Sequence, residues 1–505
     1  MYKQVLRGAG WNVAGYALGG MLAVAFPLLL LQWIGKANYG IVSYLALLIS
    51  QVYLIDGGIG EVVAQRLTRT ASQGRTAEGV QYLRSGLSFI WTISGVLSVL
   101  WLGWGLAFFR WLLPLEAAHI TLLERARWSV PLALWGIQTG MYLARIPIAL
   151  GRFRFAALQN TLQAFWQSLF PLALTWGLGK SSPFLALLSI LIGYTAYGIS
   201  TWLSASWLLR EPLFPGSLRY IPSILKDSIW VMLNLPAALL PNFFERTWIG
   251  RQWSVGLMGF YSAVHYILSK ASAFLLKANE SLFPIFGAQR VSFRRQFFRL
   301  VQAIWLLNLL ATTGGLIGWG VLEGAFALFG LTLRAEERFT IAGGIGTFIA
   351  LSLAGVTNIF YQSRGRFFLV WLGNLSLTGI QLILTPLLVA HGLILWASMP
   401  GVLAFFVLHT YIIHRHPAFP LWKSWVIYSY LRSMLIWLAG SFIFVSDALT
   451  VIGKVAGLWT LGVAHLAMEY WPTSAWRKRD FLRKLLEALR GNESKLDKVL
   501  ESYHG

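Results

Sequence analysis

The sequence predicts an all-α, polytopic membrane protein of about 14 transmembrane helices. Three observations carry that expectation. Fourteen apolar stretches each reach the roughly 20 residues needed to cross the hydrocarbon core. Of the 505 residues, 57% are hydrophobic and only 12% charged, where a soluble domain carries roughly 25%. Basic residues also gather in alternate loops, as they do on the cytoplasmic side of membrane proteins. The 25 Trp and 18 Tyr suit the two interfaces, where an apolar ring with one polar edge is best placed. With no Cys in the chain, a disulfide, a thiolate metal site and a Cys nucleophile are excluded. A net charge of +22 would point to nucleic acid in a soluble protein. Here most basic residues lie in predicted loops, so topology and anionic lipid headgroups account for them, and no nucleic-acid partner is expected.

The first span, 10–33, is too long for a signal-peptide core and has no small-residue cleavage site after it, so it is expected to be retained. Spans two to six follow at 40–63, 84–109, 128–150, 157–178 and 184–209. Spans seven to twelve fall at 228–250, 257–284, 300–329, 339–361, 367–390 and 391–412, with the last two divided at His391-Gly392. Spans thirteen and fourteen take 425–446 and 450–471. With a cytoplasmic N-terminus, the inner segments and their flanks hold 28 Lys and Arg against 9 outside. That bias places both termini in the cytoplasm, and the localisation expected is a bacterial inner (plasma) membrane. The largest outside loop, Arg110 to Arg127, is too short for a catalytic domain, and no enzymatic activity is expected. After Pro472, the residues Phe481, Leu482, Leu485, Leu486 and Leu489 recur at helical spacing beside Arg477, Lys478, Arg479, Arg483 and Lys484. This reads as an amphipathic basic helix on the inner leaflet, or as a solubilising tail.

The chain also repeats itself. Gly151-Arg152-Phe153 precedes Asn160 by the same distance as Gly365-Arg366-Phe367 precedes Asn374; the two copies lie 214 residues apart, and Trp91 and Trp305 share that offset. Tyr39-Gly40-x-x-Ser43 matches Gly259-x-Tyr261-Ser262 at a similar offset. These matches lay spans one to six over spans seven to twelve. The expected organisation is an N-lobe (1–210), a C-lobe (211–414), two appended spans (415–472) and a cytoplasmic tail (473–505). Parallel repeats of this kind recur in transporters, with the substrate site between the halves.

The same residues carry a family likeness. Gly35-x-x-x-Tyr39-Gly40, then Asp56-Gly57-Gly58-Ile59-Gly60 and Arg66, resembles the bacterial polysaccharide-repeat flippases. These form the Wzx-like, polysaccharide-transporter branch of the multidrug/oligosaccharidyl-lipid/polysaccharide exporter superfamily. Glu245-Arg246-x-x-Ile249-Gly250, Gly256-x-x-Gly259-x-Tyr261-Ser262 and Ser281-Leu282-Phe283-Pro284 extend the likeness, although the acidic position is more often Asp in the family. The resemblance covers nearly the whole chain, but its motifs are mostly turn glycines and loop residues. It implies a flippase that moves an undecaprenyl-pyrophosphate-linked oligosaccharide across the membrane by alternating access. O-antigen, capsule and exopolysaccharide stay open as products, with a glycan polymerase and glycosyltransferases as implied partners. The alternatives are a cation-coupled multidrug exporter of the same superfamily, a membrane-embedded glycan polymerase or ligase, and an assembly protein without transport.

A charge in hydrocarbon costs several kcal/mol unless a wet cavity or a partner receives it. Holding a pyrophosphate inside the bilayer needs cations with hydrogen-bond donors. Lys270 sits midway along span eight, too deep to snorkel easily. Lys277 and Tyr266 share its face, and the expectation is that this face lines the cavity with Lys270 on the pyrophosphate; Lys277 can instead pair with Glu280. Arg145 and Arg84 form a cytoplasmic mouth or snorkel to the inner interface. Asn12 in span one, like Gln163 and Gln167 in span five, either meets sugar hydroxyls or bonds a neighbouring helix. No cofactor is expected, but Asp56 and Glu61 offer carboxylates for H⁺ or Na⁺ coupling; Asp56 can equally cap a helix break. Glu245 and Arg246 are read as an outer gate or as static packing. Pro236 and Pro241 make span seven a candidate hinge.

Overall fold

A computed structural model describes residues 25–51, 59–280, 293–363, scattered positions within 372–387, most of 433–444, and 450–470. Throughout these residues the chain is helical. Gly35, with φ +80, turns α1 (Ala25–Ile34) into α2 (Lys36–Gln51). A side chain is strained at that φ, which explains why the sequence places glycine there. Next come α3 (Ile59–Ser72), α4 (Thr76–Leu112), α5 (Ala117–Ala126), α6 (Val130–Leu143), α7 (Ile146–Ala149), α8 (Phe153–Ala164) and α9 (Phe170–Gly179). Then follow α10 (Pro183–Leu209), α11 (Ile221–Gln252), α12 (Val255–Glu280), α13 (Phe293–Leu328), α14 (Ala335–Ser363) and α15 (Val451–Tyr470).

Among the described residues, α4 and α10 are each long and apolar enough to cross a membrane unaided. At 37 residues α4 is roughly 55 Å long, well beyond the predicted span 84–109. Its outward face is apolar, with Val99, Trp104 and Trp111 all exposed, as lipid contact requires. α10 starts at Pro183, where the missing N–H costs nothing and Ser182 accepts a bond from Leu185 N–H. It ends at Arg210, which takes the left-handed conformation.

Two predicted spans are not single helices. Span four breaks between α6 and α7 at Ala144 and Arg145, where Pro147 lacks the N–H that would bond the Leu143 carbonyl and its ring crowds that group. Span five carries a π-helical turn at Phe165–Leu169 between α8 and α9. Pro171 at the start of α9 cannot donate to the preceding turn, and the widened turn absorbs that loss. The loop 110–127, expected on the outside, is partly folded too: α5 buries His119, Leu122, Leu123 and Ala126.

Small residues set the crossings. α6 and α10 meet at Gly136 and Gly198, where a Cβ on Gly198 would lie 2.3 Å from the Gly136 carbonyl oxygen. α2 and α12 meet at Gly40 and Gly259, and the contact is reciprocal. A Cβ on Gly40 would fall 2.4 Å from Val255 O and 3.2 Å from Gly259 N. One on Gly259 would fall 2.2 Å from Lys36 O and 2.7 Å from Gly40 N. The backbones touch, with the Val255 side chain beside the contact. Elsewhere α12 and α13 pack on α14, α15 packs on α13, and α4 packs on α3 and α6. The main core runs through all of these helices except α3; a second cluster joins α3, α4, α7 and the start of α11 around Leu67, Leu87, Ile146 and Ile224.

Candidate functional site

A cavity of about 310 Å³ opens between α2, α6, α8, the π turn and α10 on one side and α11 and α12 on the other. Its wall is built by helical periodicity. On α2, Ser43, Ala46, Leu47 and Ser50 recur at three- and four-residue intervals. On α12, Ser262, His265, Tyr266, Ser269 and Lys270 do the same. Gln163 and Gln167 come from the segment around the π turn, Met141 from α6, Tyr194 from α10 and Arg246 from α11. Gln163 donates to Gln167 at 3.3 Å.

The cavity has a closed end and an open end. Tyr39, Arg246 and Ser262 are buried at 3%, 4% and 4% exposure. Ser269, several residues along α12, is exposed, and Lys270 is half-buried. The Lys270 ammonium lies 5.3 Å from the Tyr266 ring centroid, a cation–π arrangement. The Tyr266 hydroxyl meets Ser168 of the π turn at 3.2 Å, and its ring tilts against Phe26. This chain of contacts fixes the lysine's position from the opposite wall. Among the described residues, two cations, Arg246 and Lys270, line the cavity together with hydroxyls, amides and apolar side chains, and no Asp or Glu does. Among the described residues, no three His, Asp or Glu side chains gather as a metal would need.

The residues singled out from the sequence separate into groups. Lys270, Tyr266 and Arg246 line the cavity together. Glu245, the neighbour of Arg246, is buried on another side of α11 and accepts a short hydrogen bond from Tyr261. Arg84 and Arg145 are not among the lining residues. Arg84 donates to Glu211 at 3.1 Å and to Pro212 O at 3.2 Å, while its own carbonyl accepts from Gly216 N. It thereby ties down the segment between α10 and α11. Arg145 lies at the break between α6 and α7. Pro236 and Pro241 fall within α11, which stays helical through both. Lys277 and Glu61 are on α12 and α3, but their side chains lie outside the described residues, as do Asn12 and Asp56 altogether. Sequence reasoning passed over the lining roles of His265, Ser269, Ser43 and Ser50. Their signal was present as the two polar stripes along α2 and α12.

No family model matches the chain, and no curated protein matches it. Solved structures do. The lipid II flippase MurJ in an inward closed conformation aligns with a TM-score of 0.67 at 12% identity, over 90% of this chain and 98% of that one. An inward-facing multidrug resistance MATE family transporter of the MOP superfamily aligns at 0.63 and 13% identity, over 78% of this chain and 94% of that one. The MATE multidrug transporter DinF-BH aligns at 0.62 and 17% identity, over 83% and 96%. All three are transporters. At such identities the likeness establishes architecture alone: the chain shares the all-helical fold of these solved transporters.

Proposed function

We propose that this protein is a flippase that carries an undecaprenyl-pyrophosphate-linked oligosaccharide across a bacterial inner membrane, with both termini in the cytoplasm. One observation supports this reading above others: among the described residues the polar lining of the cavity is two cations, hydroxyls, amides and a histidine, with no carboxylate. A lipophilic cation finds no counter-charge in such a space. A pyrophosphate finds charge-assisted donors, and sugar hydroxyls find Ser43, Ser50, Gln163 and Gln167. In this reading Lys270 holds the headgroup, Tyr266 and Ser168 fix the lysine, and the isoprenoid tail stays in the bilayer. The lobes 1–210 and 211–414 rock about the cavity, which then faces each side of the membrane in turn. A glycan polymerase and glycosyltransferases would stand on either side of the step.

Replacing Lys270 tests the idea. Lys270→Ala should abolish export of the lipid-linked sugar while its level in the membrane stays at that of the parent, and Lys270→Arg should restore a measurable fraction. Normal export by Lys270→Ala would remove this residue from the site and the reading with it.

A further inference from the structure

The closed end of the cavity contains groups that the placement of a headgroup on Lys270 leaves unused. Arg246 is 96% buried and lines the cavity. Its Nε and Nη1 atoms have no hydrogen-bond partner among the described residues. Ser262 is buried at the same end, lines the same space, and its hydroxyl also lacks a partner. His265 lies one helical turn along the same wall. The carboxylate next to Arg246 in sequence accepts a hydrogen bond from Tyr261, and its charge also acts on the arginine. A guanidinium buried with two nitrogens unmatched is costly. The cost is recovered when a planar or tetrahedral oxyanion accepts from both, the geometry for which arginine is suited.

From Ser262 to Lys270 is eight residues of α12, roughly 12 Å along the helix axis. The Lys270 ammonium reaches back over the Tyr266 ring, so the two groups of donors are separated by burial, one half-exposed and one enclosed, within a single continuous cavity. We infer that the cavity contains two successive oxyanion seats, one at Lys270 by the open end and a second at Arg246 and Ser262 by the closed end. The second seat receives the substrate's pyrophosphate after the first. This rests on the flippase reading above and adds an order to it. The headgroup enters at the half-exposed lysine, where a cation is accessible, and advances to the arginine, whose unmatched nitrogens draw it inward. When the closed end opens, the anion already sits at the exit. Translocation then proceeds in two short transfers between fixed donors instead of one long passage through an apolar space.

The test is binding stoichiometry on the full chain in lipid nanodiscs, with inorganic pyrophosphate as the probe. The parent protein should bind two per chain. Lys270→Ala should retain one, and Arg246→Gln should retain the other. Ser262→Ala should weaken the second event about tenfold, and Arg246→Lys should keep it with reduced affinity. These milder variants guard against misfolding, and thermal unfolding of each checks it. Undecaprenyl pyrophosphate added to the nanodiscs should displace the probe from both seats. No binding by the parent would overturn the flippase reading itself. One event, lost in Lys270→Ala and unchanged in Arg246→Gln, would overturn only the second seat. An Arg246 seat emptied by free phosphate but not by the lipid would remove it from the substrate's path.

Discussion

Glu245, Arg246 and Thr247 are consecutive on α11 and serve three different neighbours. Glu245 accepts from Tyr261 on α12, Arg246 faces the cavity, and Thr247 shares a 2.6 Å hydrogen bond with Tyr44 on α2. Successive residues of a helix point about 100° apart, so one turn can hold two helices and a binding surface at once. The Tyr261 bond shields a fully buried carboxylate, and Tyr261→Phe should lower stability by about 1–3 kcal/mol, read as a fall in thermal unfolding temperature in detergent. An unchanged temperature would mean that another donor satisfies Glu245. At this scale the sequence exposed Lys270 and Tyr266, because a lysine in mid-span is conspicuous and its i−4 neighbour shares its face. It could not separate Glu245 from Arg246. Adjacent opposite charges look like a pair, and only the rotation of the helix shows that they face different partners. Arg84 was equally opaque, since Glu211 lies on a segment that is remote in sequence.

Among the elements, α4 and α10 were legible as continuous apolar runs, whereas α6–α7 and α8–α9 were not legible as broken ones. Pro147 and Pro171 are visible to any reader. The form of the distortion, however, depends on what packs against it, and a Cβ on Gly193 of α10 would lie 2.2 Å from the Trp166 carbonyl oxygen in the π turn. That long-range contact has no local sequence signature. Gly40 and Gly259 were noticed as matching motifs, but nothing in the spacing showed that they touch. The contact makes a sharp prediction. Gly259→Ala should drive α2 and α12 apart, lowering both stability and transport, because the obstructing atoms are backbone. Gly314→Ala on α13 meets nothing within 4 Å and should be neutral or stabilising by up to about 1 kcal/mol. Thermal unfolding of the two variants side by side checks this, and equal behaviour would contradict the close crossing.

For the whole molecule, the succession of apolar stretches conveyed the all-helical architecture, which the solved transporters share. What the sequence withheld was the set of ties between the first helices and the later ones. Lys36 on α2 pairs with Glu337 on α14, beyond the closed end of the cavity. Arg66 on α3 pairs with Asp227 on α11 at 2.6 Å and also donates to Ser223. The absence of native cysteine permits a clean assay. A single cysteine at Ser262 should react slowly with a water-soluble maleimide in the parent, and several-fold faster once Lys36→Ala has cut the ion pair. An unchanged rate would show that the pair does not hold that end shut. The glycine crossing just below it has a mechanical corollary. Interlocked side chains give two helices discrete notches, and leaving one notch for the next means repacking. The crossing point at Gly40 and Gly259 has no such notch of its own, so a pivot of α2 on α12 centred there needs the least repacking, and the Lys36–Glu337 charges act as its brake.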